Sequence, residues 1–306
     1  ELADNAEAEI ETRHIRFGDA AAVLWTSGTT GKPKGVIQSH NVWIRAALNN
    51  DRLYGTRPGD VAYNCLPLYN SAAWVANIYR ALSTGIPCAL DEQFSVSKFW
   101  GRIRHYGATQ TMTLGAMHMF LWNEPRRTDD ADNPLRVASM VPMPQKLIAP
   151  FCERFGLEAI VQGLGQSEVM PILSKVETPA RQCKPNALGK LFDDMEVKLL
   201  RDDGEEAGPG EVGEFSIRPL APHVIFSGYF DDPEATSRAY RGEWYCTGDL
   251  GMKDAEGDYY FVDRKKDYIR YKGRNISSLQ VEGIAAGHPA VKAAAVYGVP
   301  SDTLES

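Results

Sequence analysis

The sequence is short of several things that would define a protein class. Its 306 residues include only five cysteines, Cys65, Cys88, Cys152, Cys183 and Cys246, scattered and without a C-x-x-C pair. That excludes a disulfide-stapled fold and a thioredoxin-type redox motif, and fits buried thiols in a reducing compartment. The six histidines never recur at H-x-x-x-H spacing, which argues against a protein-ligated zinc site. No apolar run approaches the ~20 residues of a bilayer-spanning helix. Excess positive charge is also missing. Lys and Arg number 33 against 40 Asp and Glu, a formal net charge of -7, so no general nucleic-acid surface is expected. Any anion site must be assembled locally from a few cations. No repeat or low-complexity tract is visible, and the expected location is the cytoplasm.

What is present is a globular composition, 43% hydrophobic and 24% charged, long enough for one large or two ordinary domains. One stretch stands out. Residues 26–35 read TSGTTGKPKG, with three glycines, four hydroxyl residues and two lysines in ten positions. Glycines let backbone approach a ligand closely. Successive N–H groups and hydroxyls then face anion oxygens, and Lys32 and Lys34 add charge. The simplest target is a polyphosphate. A plain turn rarely needs such a composition. The P-loop of nucleotide triphosphatases does not fit either, because Thr26 stands where its first Gly belongs and Pro33 follows Lys32.

Strand and helix patterns alternate through the first half. Extended chain is expected at 20–25 and 36–39, on either side of the loop. Further strands are expected at 61–66, 86–90, 108–114, 135–141 and 158–161. Helices are expected at 41–54, at 72–84, at 96–106 between a Ser95 cap and Gly107, and at 144–155 before Gly156. This predicts a layered α/β sheet. After about residue 187 the rhythm changes to short strands at 195–200, 213–218, 244–246, 258–262 and 268–271, the mark of a β-rich subdomain. A helix from Ser277 or Ser278 to Ala286 and a strand over 291–296 complete the pattern.

Other chemistry-bearing stretches follow the loop in order. Leu66-Pro67-Leu68-Tyr69-Asn70 ends a strand and opens a helix, and a plain strand-to-helix turn is the lesser reading of it. Gln162-Gly163-Leu164-Gly165-Gln166-Ser167-Glu168 starts like a dinucleotide fingerprint but ends in Glu, a weak match. Thr247-Gly248-Asp249 offers a carboxylate that can accept both hydroxyls of a ribose, or is only a turn. Asp263-Arg264-Lys265-Lys266-Asp267-Tyr268-Ile269 is a basic run, a pattern that usually marks a solvated face.

Together these stretches, with Gly213-Glu214 and Ser227-Gly228-Tyr229, resemble the signatures of the adenylate-forming superfamily of acyl-CoA synthetases, adenylation domains and luciferases. Ser97-Lys98-Phe99-Trp100, Phe151-Cys152-Glu153-Arg154-Phe155-Gly156 and Pro233-Glu234-Ala235-Thr236 are most similar to the carnitine/crotonobetaine-CoA ligase-like branch. The resemblance implies an α/β fold: a layered α/β large domain over 1–265, a β-rich, barrel-like subdomain over about 187–262, and the start of a small α+β domain over 266–306. It implies ATP, Mg²⁺ and coenzyme A as cofactors and a small carboxylic acid as substrate, and it allows a homodimer. Thr26, Ser27, Gly28, Thr29, Thr30, Gly31 and Gly35 would cradle phosphates, with Lys32 and Lys34 on the leaving group. Gly165, Gln166 and Ser167 would border the nucleotide, and Glu168 would hold Mg²⁺. Asp249 would bind ribose. Arg264 would meet ribose and α-phosphate. Lys266 would be a domain hinge, and Lys272 and Gly273 would line the pantetheine tunnel. Tyr69, Asn70, Trp74, Gly163 and Leu164 would line the acid pocket.

Two departures from the family pattern matter. Leu164 replaces an aromatic residue that stacks on adenine, which predicts a reshaped purine slot. Segments that family members carry before the loop and at the end of the small domain are not in these 306 residues. The expectation is a piece of a longer acid-CoA ligase. A carrier-protein-loading adenylation domain and a non-catalytic adenylate-binding module stay open as alternatives. Replacing Lys32 and Lys34 together by Ala is expected to slow acyl-adenylate formation more than it weakens acid binding. Equal losses in pyrophosphate release and acid affinity would show that the loop is misassigned.

Overall fold

The computed structural model of the chain describes residues 14–26, 33–181, 183–271, 274–286, 288, 291 and 294–299. Ser27, Gly28, Thr29, Thr30, Gly31, Lys32, Lys272 and Gly273 lie outside the described residues.

Strands β1 (Ala20–Thr26) and β2 (Lys34–Ser39) pair antiparallel, so that Thr26 faces Lys34 across the ends of the glycine-rich loop. Ser39 then starts α1 (His40–Tyr54) by accepting the Val42 N–H at 3.3 Å, and Gly55 stops it in the left-handed region at φ 53°. The apolar face of α1 packs Val42, Trp43 and Ala46 against Val75 and Met170.

The main sheet has seven strands: β3 (Ala62–Asn64), β4 (Cys88–Leu90), β5 (Gln110–Leu114), β6 (Val137–Val141), β7 (Ala159–Leu164), β8 (Leu173–Glu177) and β9 (Lys190–Leu191), in the order β4-β3-β5-β6-β7-β8-β9. The first five in that order are parallel, and β8 and β9 return antiparallel. A π-helical stretch, Ala73–Ile78, runs into α2 (Tyr79–Thr84). It is followed by α3 (Val96–Tyr106), α4 (Met117–Asn123) and α5 (Gln145–Phe155). Tyr63, Phe99, Ile103, Met140, Ile148, Phe151 and Phe155 form the core between α3, α5 and the sheet. Each such buried side chain contributes roughly 1.5–3 kcal/mol.

The second half forms an antiparallel sheet from β10 (Met195–Leu200), β11 (Val212–Pro219), β14 (Trp244–Lys253) and β13 (Tyr240–Arg241), with β15 (Tyr259–Arg264) also on β14. This is the expected β-rich unit. Its strands follow an open path, and no pairing joins β10 to β15 among the described residues. The short β12 (Gly228–Tyr229) pairs instead with β2 and completes a three-stranded sheet. A six-residue helix, α6 (Pro233–Arg238), follows it. The hairpin β16 (Ile269–Tyr271) and β17 (Arg274–Ile276) leads to α7 (Ser278–Ala286). A second core, including Val36, Val169, Ile172, Leu173, Phe215, Ile217, Phe226 and Tyr245, ties the three larger sheets together.

Several expectations need correction. Ser95 occupies the N-cap of α3, but its side chain makes no cap bond and meets Ser97 Oγ at 3.4 Å. The strand expected at 244–246 runs on to Lys253. The described residues of 291–296 form no strand. No helix among the described residues is long and apolar enough to cross a membrane.

The lower end of the main sheet rests on one buried ion pair. Asp60 takes both arms of the Arg136 guanidinium, together with the Arg57 N–H at 2.7 Å, the Thr109 hydroxyl at 2.8 Å and the Gln110 amide at 2.9 Å. Burial pushes its pKa up, but the bonds from Arg136, Arg57 and Thr109 outweigh this and hold it at about 2, below the ordinary 3.8. A folded value below the unfolded one means that the stabilisation is complete above 3.8 and is lost as pH falls through about 2. Asp60→Asn leaves the mostly enclosed Arg136 with only the more distant charge of Glu158 and is expected to cost roughly 3–5 kcal/mol. This would be read as a lower urea midpoint at pH 7 with an unchanged slope. A loss under about 1 kcal/mol would contradict it.

Candidate active site

The β1–β2 hairpin sets the first wall. The Thr26 hydroxyl donates weakly to the Lys34 carbonyl at 3.5 Å. Lys34 Nζ lies over the Tyr229 ring, 4.7 Å from its centroid. Gly35 has no room for a side chain, since a Cβ there would stand 2.8 Å from Val23 Cγ1 and 3.1 Å from Phe230 Cβ.

The second wall is the turn after β7. It is closed by reciprocal backbone bonds between Gln166 and Val169, at 2.9 and 3.1 Å. Gln166 Nε2 donates to the Thr247 carbonyl at 2.9 Å and to Asp249 Oδ2 at 2.7 Å, while its Oε1 accepts from the Tyr245 hydroxyl at 3.2 Å. Ser167 pairs its hydroxyl with that of Ser71 at 3.1 Å, and its carbonyl accepts from Gln38 Nε2 at 2.7 Å. Glu168 is buried, and its Oε1 accepts from the Tyr229 hydroxyl at 3.0 Å. Burial raises its pKa, opposed by the Tyr229 bond and by the charges of Lys34 and Arg264.

The third wall comes from β14 and β15. Asp249 is 4% exposed, and burial raises its pKa against the Gln166 bond and the Arg264 charge. Arg264 Nε stands 3.7 Å from Asp249 Oδ1, with more than half of its side chain in solvent. The neighbouring Asp263 carboxylate is buried and does structural work. It accepts from the hydroxyls of Ser277 and Ser278 at 2.9 and 3.0 Å and from the Arg264 N–H at 2.8 Å. Lys265 bonds Glu214 and Asp202, each at 2.9 Å. Lys266 is exposed in the turn that follows β15.

The structure thus brings Lys34, Gln166, Ser167, Glu168, Asp249 and Arg264 to one place. The residues assigned to an acid pocket are held mostly by local contacts. Tyr69 is 77% exposed. Asn70 Oδ1 accepts the Ala72 N–H at 2.9 Å and so opens the following helix. The Trp74 ring packs 5.2 Å from that of Trp43, and its Nε1 donates to the Leu68 carbonyl at 2.8 Å. A Cβ on Gly163 would strike the Leu173 carbonyl at 2.1 Å, while Leu164 packs against the second core. Gly165 has looser surroundings, its nearest neighbour being Pro171 Cα at 3.5 Å from an added Cβ. Beside Gly163, at the carboxyl ends of β6 and β7, lies a cleft of about 260 Å³ lined in part by Pro142, Met143, Gln162, Lys175 and Phe261. Parallel α/β sheets bind ligands at that end.

Tyr229, Tyr245, Gln38 and Ser71 were not singled out in the sequence as parts of a site. The Gly228-Tyr229 pair was visible, but only the pairing of β12 with β2 places its phenol on Glu168. Among the described residues no group of three His, Cys, Asp or Glu side chains could hold a metal. A single buried carboxylate suits Mg²⁺ that takes its remaining ligands from phosphates and water, and Glu168 fits that role. Tyr229→Phe removes a bond that favours the ionised Glu168. Its carboxyl carbon, followed by NMR, is therefore expected to titrate at still higher pH in the variant. An unchanged or lower midpoint would contradict the geometry.

A family model described as AMP-binding enzyme matches residues 2–230. Crotonobetaine/carnitine–CoA ligase of Salmonella arizonae is 31% identical over 287 residues, covering 93% of this chain and 55% of that protein. The same-named protein of Escherichia coli is 31% identical over 284 residues, covering 92% of this chain and 54% of that protein. o-Succinylbenzoate CoA synthetase from Bacillus subtilis, solved with the acyl-adenylate intermediate OSB-AMP, has a TM-score of 0.84 at 29% identity, covering 99% of this chain and 61% of that chain. ATP-bound MatB from Rhodopseudomonas palustris has a TM-score of 0.85 at 25% identity, covering 99% and 59%. The chain spans about half the length of the curated relatives it matches. With most of its residues inside the matched family model, the chain belongs to the AMP-binding enzyme family.

Proposed function

We propose that this chain carries the nucleotide site of an AMP-forming acid–CoA ligase that acts on a small or medium carboxylic acid. The observation that carries the reading is the convergence of Lys34, Glu168, Asp249 and Arg264 around one opening. Asp249 would accept the two ribose hydroxyls, exchanging its Gln166 bond for them. The cleft beside Gly163 would take the base, and Phe261 would supply the aromatic face that Leu164 lacks. Arg264, half in solvent, is placed to swing its guanidinium fork onto the α-phosphate.

In the first step a carboxylate oxygen attacks the α-phosphorus of ATP. The new bond gives an acyl-adenylate as the α–β bridge breaks and pyrophosphate leaves. Lys34, with the loop before it, spreads the charge that grows on the leaving group, and Arg264 stabilises the α-phosphoryl. Mg²⁺ held by Glu168 would neutralise phosphate oxygens. In the second step a coenzyme A thiolate attacks the acyl carbon and AMP departs. The exposed turn with Lys266 is where a small domain would pivot between steps, and a domain boundary at residues 265 and 266 would follow from that role. The named CoA ligases among the relatives favour coenzyme A over a carrier protein as the acceptor. Five free cysteines fit a reducing, cytoplasmic setting.

Binding tests this directly. A non-hydrolysable acyl-AMP analogue is expected to bind at least about a hundredfold more tightly than ATP·Mg²⁺. Glu168→Gln should weaken ATP·Mg²⁺ by about tenfold and AMP by less than about twofold. Because the Glu168 pKa is raised, Mg²⁺-dependent affinity should fall with acidification at a higher pH than an ordinary carboxylate would give. Failure of the folded chain to bind either the analogue or ATP would overturn the reading. Pyrophosphate release with carnitine, crotonobetaine, butyrate and benzoate then identifies the acid.

A further inference from the structure

Gln38 is fully buried near the end of β2. Residues two apart on a strand share a face, so Lys34, Val36 and Gln38 look the same way. Lys34 meets the Tyr229 ring, Val36 enters the second core, and Gln38 Nε2 donates to the Ser167 carbonyl at 2.7 Å. Gln38 Oε1 accepts the indole N–H of Trp43. An indole N–H only donates and a backbone carbonyl only accepts, so the amide has one orientation and cannot turn over without losing both bonds. The far end of this anchor is packed. The Trp43 ring lies 5.2 Å from that of Trp74 and 5.4 Å from that of Tyr79, centroid to centroid.

The Gln38 bond falls on a particular peptide. The carbonyl of Ser167 and the N–H of Glu168 belong to one planar unit, so fixing the carbonyl fixes the N–H. That N–H bonds the carboxylate of Glu168 itself. A carbonyl that accepts a hydrogen bond polarises the N–H across the amide and strengthens the bond it donates. On the other side of the residue, the Glu168 carbonyl accepts the Phe226 N–H at 2.8 Å. Gln38 therefore reaches the Glu168 carboxylate through a single rigid peptide.

We propose that Gln38 is a positioning residue, which sets the Ser167–Glu168 peptide and thereby the carboxylate that would take Mg²⁺. This rests on the reading of Glu168 as the metal carboxylate of an adenylating site. It makes the strand that carries Lys34 responsible for the metal side of that site as well as for the leaving group.

Titration calorimetry of the whole chain with ATP·Mg²⁺ and with metal-free AMP tests it. Gln38→Met keeps the length of the side chain and removes both bonds. It is expected to weaken ATP·Mg²⁺ by about fivefold and AMP by less than about twofold. In a chain that already carries Glu168→Gln, the same exchange should weaken ATP·Mg²⁺ by less than about a further twofold, because a residue that acts through the carboxylate has nothing left to act on. Folding is checked by circular dichroism. If Gln38→Met does not fold, Gln38→Asn replaces it, since its amide keeps the pocket polar but is a methylene too short to span Trp43 and Ser167. Equal losses for the two ligands, no loss, or an undiminished loss beside Glu168→Gln would overturn the proposal. If Glu168→Gln by itself weakens ATP·Mg²⁺ under any of those results, the metal reading stands and only the assignment of Gln38 falls. If Glu168→Gln leaves ATP·Mg²⁺ binding unchanged, the underlying reading falls with it.

Discussion

Glu168 and Asp249 are two carboxylates buried within reach of each other's charge, and the site is built around what that costs. Each gains one neutral donor, Tyr229 for Glu168 and Gln166 for Asp249. Arg264 acts on both, and Lys34 on Glu168. The compensation is incomplete, because burial still raises both pKa values and Glu168 raises that of Asp249 further. A site in that state is short of positive charge and of donors. A divalent cation and a pair of ribose hydroxyls would supply both deficits. The electrostatics of these two carboxylates therefore agree with the ligand proposed above.

The fold delivers these groups from three separate sheets. The β1–β2 hairpin brings Lys34, the main sheet brings the turn after β7, and β14 with β15 brings Asp249 and Arg264. A shared apolar core that includes Val36, Val169 and Phe215 holds the sheets in register. Polar braces do the fine placement. Glu214 takes the Gly248 N–H at 2.9 Å and also Lys265, which fixes the strand turn that carries Asp249. Asp263 ties the start of α7 to β15 and leaves Arg264 pointing outward.

Much of this was legible in the sequence, and the exceptions have physical causes. The helices α1, α3 and α5 each end at a glycine in the left-handed region, Gly55, Gly107 and Gly156, and their apolar spacing gave them away. Short α4 has no capping bond at its start, so nothing marked it. The Asp232-Pro233 start of α6 was a usable signal, with Asp232 accepting the Ala235 N–H at 2.8 Å, but six residues give too little periodicity. Strand β8 is inverted: Lys175 and Glu177 are buried while Val176 is 37% exposed, so hydropathy alternation reads it backwards. Of the site, the carboxylates and cations could be named from motif order. Tyr229, Tyr245, Gln38 and Ser71 could not, because their roles exist only through strand pairings distant in sequence.

The most direct measurement of the central claim is a crystal structure of this chain with AMP and Mg²⁺. The account predicts both ribose hydroxyls on the Asp249 carboxylate, the base in the cleft beside Gly163 and Phe261, and the phosphate facing Arg264 and Lys34. A nucleotide bound elsewhere, with Asp249 still held only by Gln166, would contradict it.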